Sequence, residues 1–131
     1  DYTVFDRWVE FMMSLGIDRQ INCYTLVPWA LKFDYYDQAT NRIRFVEAKP
    51  GEAAYEDYWF SFLKDFAGHL RQKGWFEKTT IAMDEREKSM MQKAFDLIFR
   101  ADAGYKVSGA GDYYPECMIF VWHTDIRYRT R

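Results

Sequence analysis

The sequence predicts an α/β fold, the central β-α units (partial) of a (β/α)8 TIM barrel. Three observations lead there. Apolar stripes at helical spacing alternate with short apolar strand segments, and that alternation builds a parallel sheet from β-α units. Three such strands are too few for a doubly wound domain. The chain has 131 residues, whereas a complete barrel takes ~250.

The elements follow in order. Phe5, Trp8, Met12 and Leu15 recur at helical spacing, with Val9 and Phe11 beside them. Thr3 is the expected N-cap and Gly16 the expected stop. Residues 17 to 26 turn β-like, with Ile21, Cys23 and Thr25 on one face, and Pro28 ends the run because proline cannot donate to a ladder. Lys32 to Tyr36 and Arg42 to Val46 alternate around the turn-rich Asp37 to Asn41, which predicts a hairpin closed by Lys49-Pro50-Gly51. Tyr55, Trp59, Phe62, Leu63, Phe66 and Leu70 form the stripe of a second helix that ends at Gly74.

Thr79 to Met83 reads as a short buried strand running straight into Asp84-Glu85-Arg86. A third helix is expected over Glu87 to Arg100, with Met90, Met91, Ala94, Leu97 and Ile98 inward. Tyr105 to Ser108 is a further strand, emptying into the glycine-rich Gly109 to Glu116. Residues 1–116 thus form the barrel-like segment, and residues 117–131 a separate tail with an apolar strand, Cys117 to Trp122, and a basic end. An incomplete barrel leaves strand edges unpaired and opens its inner face, expected to be Ile21, Cys23, Ile81, Met83 and Val107. A homodimer through open sheet edges, using the hairpin or the tail strand, is therefore expected. The start at Asp1-Tyr2-Thr3 reads as a piece of something longer.

Composition narrows the function. Hydrophobic residues make up 49% and the formal net charge is −2, which excludes a disordered chain and argues against a nucleic-acid partner. No apolar run approaches the ~18 residues of a membrane span. Aromatic residues reach 20%, more than a core of this size hides, so some line a ligand site or face another surface. Cys23 and Cys117 read as small hydrophobes. His69 and His123 show no metal spacing; His69 reads as structural, and neither a metal nor a cofactor is expected. Gly109-Ala110-Gly111 lacks the lysine of a phosphate loop.

In a parallel α/β fold the ligand site gathers at the C-terminal ends of the strands. The segments there are Leu26 to Trp29, Asp84 to Arg86, and Gly109 to Glu116. Asp84-Glu85 carries the sharpest chemical signal, and two readings stand. In one, both acids favour the N-terminus of the third helix. Alternatively they are a catalytic pair. Glycoside cleavage needs one protonated carboxyl and one carboxylate that supports developing positive charge. Adjacent positions suit substrate-assisted cleavage, in which the sugar's own 2-acetamido oxygen is the nucleophile. Trp29 can stack on a sugar or pack in the hairpin, and Tyr24 is either wall or core. Tyr113 and Tyr114 can bond a sugar or pack beside Pro115. Arg86 can pair with Glu85 or Asp112, or stand solvated at the helix start.

Trp59 to Leu63, His69-Leu70, Lys73 to Phe76, Ile81 to Arg86 and Lys106 to Gly111 resemble the catalytic domain of glycoside hydrolase family 123. Tyr24 to Trp29 and Lys49-Pro50-Gly51 fit the same pattern. The resemblance implies a (β/α)8 barrel and a retaining, substrate-assisted β-N-acetylgalactosaminidase. It implies Glu85 as acid/base and Asp84 as the residue orienting the acetamido group. Trp29, Tyr24, Tyr113, Tyr114 and Arg86 are the candidate substrate contacts, the partner is an oligosaccharide or glycoconjugate, and a periplasmic or secreted location is implied. The alternative is a non-catalytic carbohydrate-binding or structural α/β domain.

Overall fold

The computed structural model describes residues 1–110 and 118–122. Its main sheet has four strands in the order β1 (Ile21–Tyr24), β4 (Thr79–Met83), β5 (Lys106–Ala110) and β6 (Met118–Trp122). Every neighbouring pair is parallel. Helix α2 (Ala53–Gln72) connects β1 towards β4, and α3 (Lys88–Ala101) connects β4 to β5. Helix α1 (Thr3–Ser14) precedes them. The hairpin β2 (Lys32–Asp37) and β3 (Arg42–Glu47) forms a small antiparallel sheet of its own in the link between β1 and α2.

The two strongest periodic signals give the expected elements. In α2 the stripe Tyr55, Leu63, Phe66 and Leu70 is buried, joined by Ala67. Gly74 ends it with φ +70°, a left-handed conformation that glycine adopts without a Cβ clash. Strand β4 is buried at all five positions, as befits a strand with neighbours on both sides and a helical layer against it. In α3, Met91, Ala94, Leu97 and Ile98 are inward as expected, together with Phe95 and Ala101, while Met90 is half-buried.

Helix α1 departs from its predicted face. Trp8 and Leu15 are each 61% exposed, and Val9 is the buried residue, flanked by half-buried Tyr2, Phe5 and Met13. The inward face is thus turned by about one position, so that Tyr2 and Phe5 meet Phe66 on α2 at ring distances of 5.6 and 5.2 Å. The helix start also differs. Thr3 is already helical, and Asp1 supplies the acceptor, its carboxylate taking the Thr3 N–H at 2.9 Å. Gly16, with φ +84°, stops the helix as expected.

The faces of the main sheet reverse the expectation. Ile21, Cys23, Ile81, Met83 and Val107 are not left open. They belong to the cluster that packs against α2 and α3. Alternation then places Asn22, Tyr24, Thr80, Ala82 and Ser108 on the opposite face. This face is polar and internally satisfied: the Thr80 hydroxyl donates to Asn22 Oδ1 at 2.5 Å and lies 3.2 Å from Ser108 Oγ. The tail strand joins the sheet as β6, pairing with β5 on one side. Among the described residues, the outer edges of β1 and of β6 are without a strand partner.

Candidate active site

The parallel register fixes what meets at the C-terminal end of the sheet. Tyr24 is aligned with Ala82, so Asp84, two residues further on, is its diagonal neighbour on the same face. That is the face turned away from α2 and α3. Strand β4 stops at Met83, and the chain bends at Glu85 before α3 begins at Lys88. The bend frees the adjacent acids from strict alternation.

Asp84 is half-buried and held from several sides. The Trp29 indole N–H donates to Oδ2 at 2.8 Å. The backbone N–H of Glu85 donates to Oδ1 at 2.8 Å. These two bonds, led by that from the Glu85 backbone and followed by that from Trp29, hold the Asp84 carboxyl below the usual carboxylate range, with the nearby Tyr24 phenol and the Arg86 charge adding to them. Burial, then the negative charge of Asp84, pushes the Tyr24 phenol up, which keeps it protonated. Asp84 is therefore an anion at neutral pH.

Glu85 is exposed and makes no side-chain hydrogen bond or ion pair among the described residues. The two carboxyls thus occupy unequal surroundings, one tied down and one free to reach.

Helix capping does not explain the pair. The N-cap of α3 is Glu87, which makes no side-chain cap bond, and its carboxylate instead accepts from the Ser89 hydroxyl at 2.5 Å. The N–H that Asp84 satisfies belongs to the bend, not to the helix.

Arg86 does not pair with Glu85. Its guanidinium lies over the Trp29 ring, 4.4 Å from the centroid. Trp29 itself is 70% exposed and Tyr24 62% exposed, so neither is core. Tyr113, Tyr114, Asp112 and Cys117 lie outside the described residues, as does His123. Cys23 is a half-buried thiol that burial pushes up to about 12. His69 is structural: its Nε2 lies 2.6 Å from Asp6 and its ring stacks on Tyr2 at 4.1 Å. Among the described residues no cluster of His, Cys, Asp and Glu could hold a metal ion, and no helix is long and apolar enough to cross a membrane.

A cavity of about 610 Å³ lies away from the acidic pair. It lies beside the free edge of β1, walled by α1 and α2 through Phe5, Trp8, Met12, Trp59 and Phe62, with Tyr24 at its margin. It opens where the sheet stops. Sequence inspection missed the bond between Trp29 and Asp84, because 55 residues separate them and only the β1–β4 register brings them together.

Comparison with known proteins adds two findings. The model of the glycoside hydrolase 123 catalytic domain matches residues 1–127. It therefore continues past residue 116, into the segment set apart above as a tail. A structure of a family 123 glycoside hydrolase from Clostridium perfringens, described for its hydrolysis of glycolipid glycans, matches with a TM-score of 0.78. It is 37% identical over 86% of this chain, and the chain spans 21% of its length. No curated protein matches.

Proposed function

The chain belongs to glycoside hydrolase family 123, and from that premise we propose that it carries the catalytic pair of a retaining glycosidase. The substrate is a glycan or glycoconjugate with a terminal β-linked N-acetylhexosamine, N-acetylgalactosamine in the first instance. One observation carries the reading. Two adjacent carboxyls at the C-terminal end of β4 are made unequal by their surroundings, Asp84 being fixed as an anion by Trp29, Tyr24 and the Glu85 backbone.

That inequality suits substrate-assisted cleavage. Asp84 accepts the acetamido N–H, which turns the acetamido oxygen towards C1 and stabilises the positive charge as the oxazolinium ring closes. Glu85 gives its proton to the departing glycosidic oxygen. It then takes a proton from water, which attacks C1, reopens the ring and restores the acetamido group. Two displacements at C1 give net retention.

The strand arrangement supports a partial (β/α)8 barrel as the scaffold. The parallel strands run in chain order, β1-β4-β5-β6, without the order reversal of a doubly wound sheet. Helices α2 and α3 share the apolar face, which leaves the Tyr24–Ala82–Asp84 face as the inner one.

The test is made on the longer protein, with nitrophenyl N-acetyl-β-galactosaminide and the matching glucosaminide. Glu85→Gln should lose cleavage of substrates with poor leaving groups by about 10²–10⁴-fold, and activated aryl substrates should suffer less, since they need little protonation. Asp84→Asn should cripple turnover while weakening a thiazoline mimic of the intermediate far more than it weakens substrate. Equal losses on both leaving groups, or equal thiazoline binding, would remove the assignment.

A further inference from the structure

Three side chains gather around one carboxylate. Trp29 donates its indole N–H to Asp84 Oδ2 at 2.8 Å. Tyr24, at the end of β1, places its phenol near the same group and favours its ionised form. Arg86, two residues beyond Asp84, returns to lie on the Trp29 ring. We propose that Trp29 is a positioning residue for Asp84, clamped by Arg86 and seconded by Tyr24, and not a stacking platform for the sugar that Asp84 orients. This rests on the catalytic reading above and names how its site is held.

The geometry of an indole carries the argument. The N–H bond lies in the ring plane, so Asp84 sits off the edge of Trp29 and not over its face. An acetamido group held by Asp84 meets that same edge. To stack on the sugar, the ring would have to swing and give up the bond. Arg86 opposes such a swing by occupying one face of the ring. The Arg86 Nε is itself buried without a hydrogen-bond partner among the described residues, so the Trp29 ring is the contact that locates its guanidinium.

The carboxylate needs such support. Aspartate turns about two side-chain bonds, and a lone pair must meet the acetamido N–H at one angle as charge develops. The Glu85 N–H fixes Oδ1, and Trp29 fixes Oδ2 from the opposite side. Each donor also favours the ionised form, which is the one that can accept.

Trp29→Phe separates the two roles, because it keeps an aromatic face for Arg86 or a sugar and removes only the N–H. In the longer protein, kcat on the nitrophenyl substrate should fall about ten- to a hundredfold with KM little changed, as expected for losing a hydrogen bond to a charged group that acts in the transition state. The acid limb of kcat/KM should move to higher pH, since a donor to the ionised form is gone. Tyr24→Phe should act in the same direction.

A second measurement needs no turnover. The Trp29 indole N–H resonance should shift with the ionisation of Asp84 and lose that titration in Asp84→Asn. A Trp29→Phe protein with wild-type kcat and acid limb, or with KM alone raised, beside an inactive Asp84→Asn, overturns this proposal and leaves the catalytic reading standing. Wild-type turnover in Asp84→Asn removes both.

Discussion

Tyr55→Phe isolates the anchor of the loop that delivers Trp29. Tyr55 is fully buried on α2, and its hydroxyl donates to the Leu26 carbonyl at 2.9 Å. Its ring packs edge-on against Phe33 at 5.6 Å. Phenylalanine keeps that packing and deletes one donor, leaving a buried carbonyl without its partner. The expected loss is about 1–2 kcal/mol, the desolvation cost of an orphaned backbone acceptor.

Tyr105→Phe provides the comparison. The Tyr105 hydroxyl donates to the Leu63 carbonyl at 2.6 Å and is also buried. Leu63, however, lies within α2, where its carbonyl also accepts the N–H four residues on. That acceptor stays satisfied after the substitution, so the loss should be about half as large or less. Urea unfolding of the protein and both variants, followed by tryptophan fluorescence, measures the difference. Equal destabilisation, or a larger loss for Tyr105→Phe, would refute the reasoning that the orphaned acceptor sets the cost. Tyr55→Phe should also lower kcat, but less than Trp29→Phe, because it loosens the loop without removing the donor to Asp84.

Asp6→Asn should weaken the docking of α1 on α2, where Asp6 bonds His69 at 2.6 Å and Lys73 at 3.2 Å. Burial would raise the Asp6 carboxyl, but the bonds from His69 and Lys73 together hold it below its ordinary 3.8. A depressed carboxylate adds stability above its unfolded value and loses it as pH falls through the folded one. The gap between wild type and variant, about 1 kcal/mol near neutrality, should therefore close below pH ~4 in urea titrations; a gap that persists there would contradict the assignment. The 131-residue chain alone should self-associate through the open edges of its sheet, β1 and β6, and sedimentation showing a monodisperse monomer would count against that.

Legibility follows burial. Strand β4 and helix α2 are readable because every position of one is packed, with Ile81, Ala82 and Met83 an apolar run, and a long stripe of the other is apolar and packed. The α1 face is not, because Trp8, Phe11 and Leu15 are apolar yet exposed, and periodicity ranks residues by type without knowing which neighbour stands opposite. The candidates Asp84 and Glu85 stand out by their position after an apolar strand. The arrangement around them does not, since Trp29 reaches Asp84 only through the β1–β4 register. For Arg86 the sequence offers carboxylate partners, whereas in the structure its guanidinium lies on an aromatic ring.

The reversed sheet faces and the acidic site have one cause. Alternation divides a strand into two faces, but hydrophobicity alone assigns the apolar one to whatever interior is imagined. Here that interior is the layer of helices, which accepts Ile81, Met83 and Val107. The remaining face keeps Asn22, Thr80 and Ser108, polar residues that satisfy one another and so can be covered at little cost. On that polar face, Ala82 is the small residue between Tyr24 on β1 and Ser108 on β5. A large side chain at position 82 would crowd Tyr24, whereas alanine leaves it room to lean towards Asp84. The same register step that hides the apolar residues beneath the helices therefore delivers a carboxylate, with a phenol beside it, to the opposite side of the sheet.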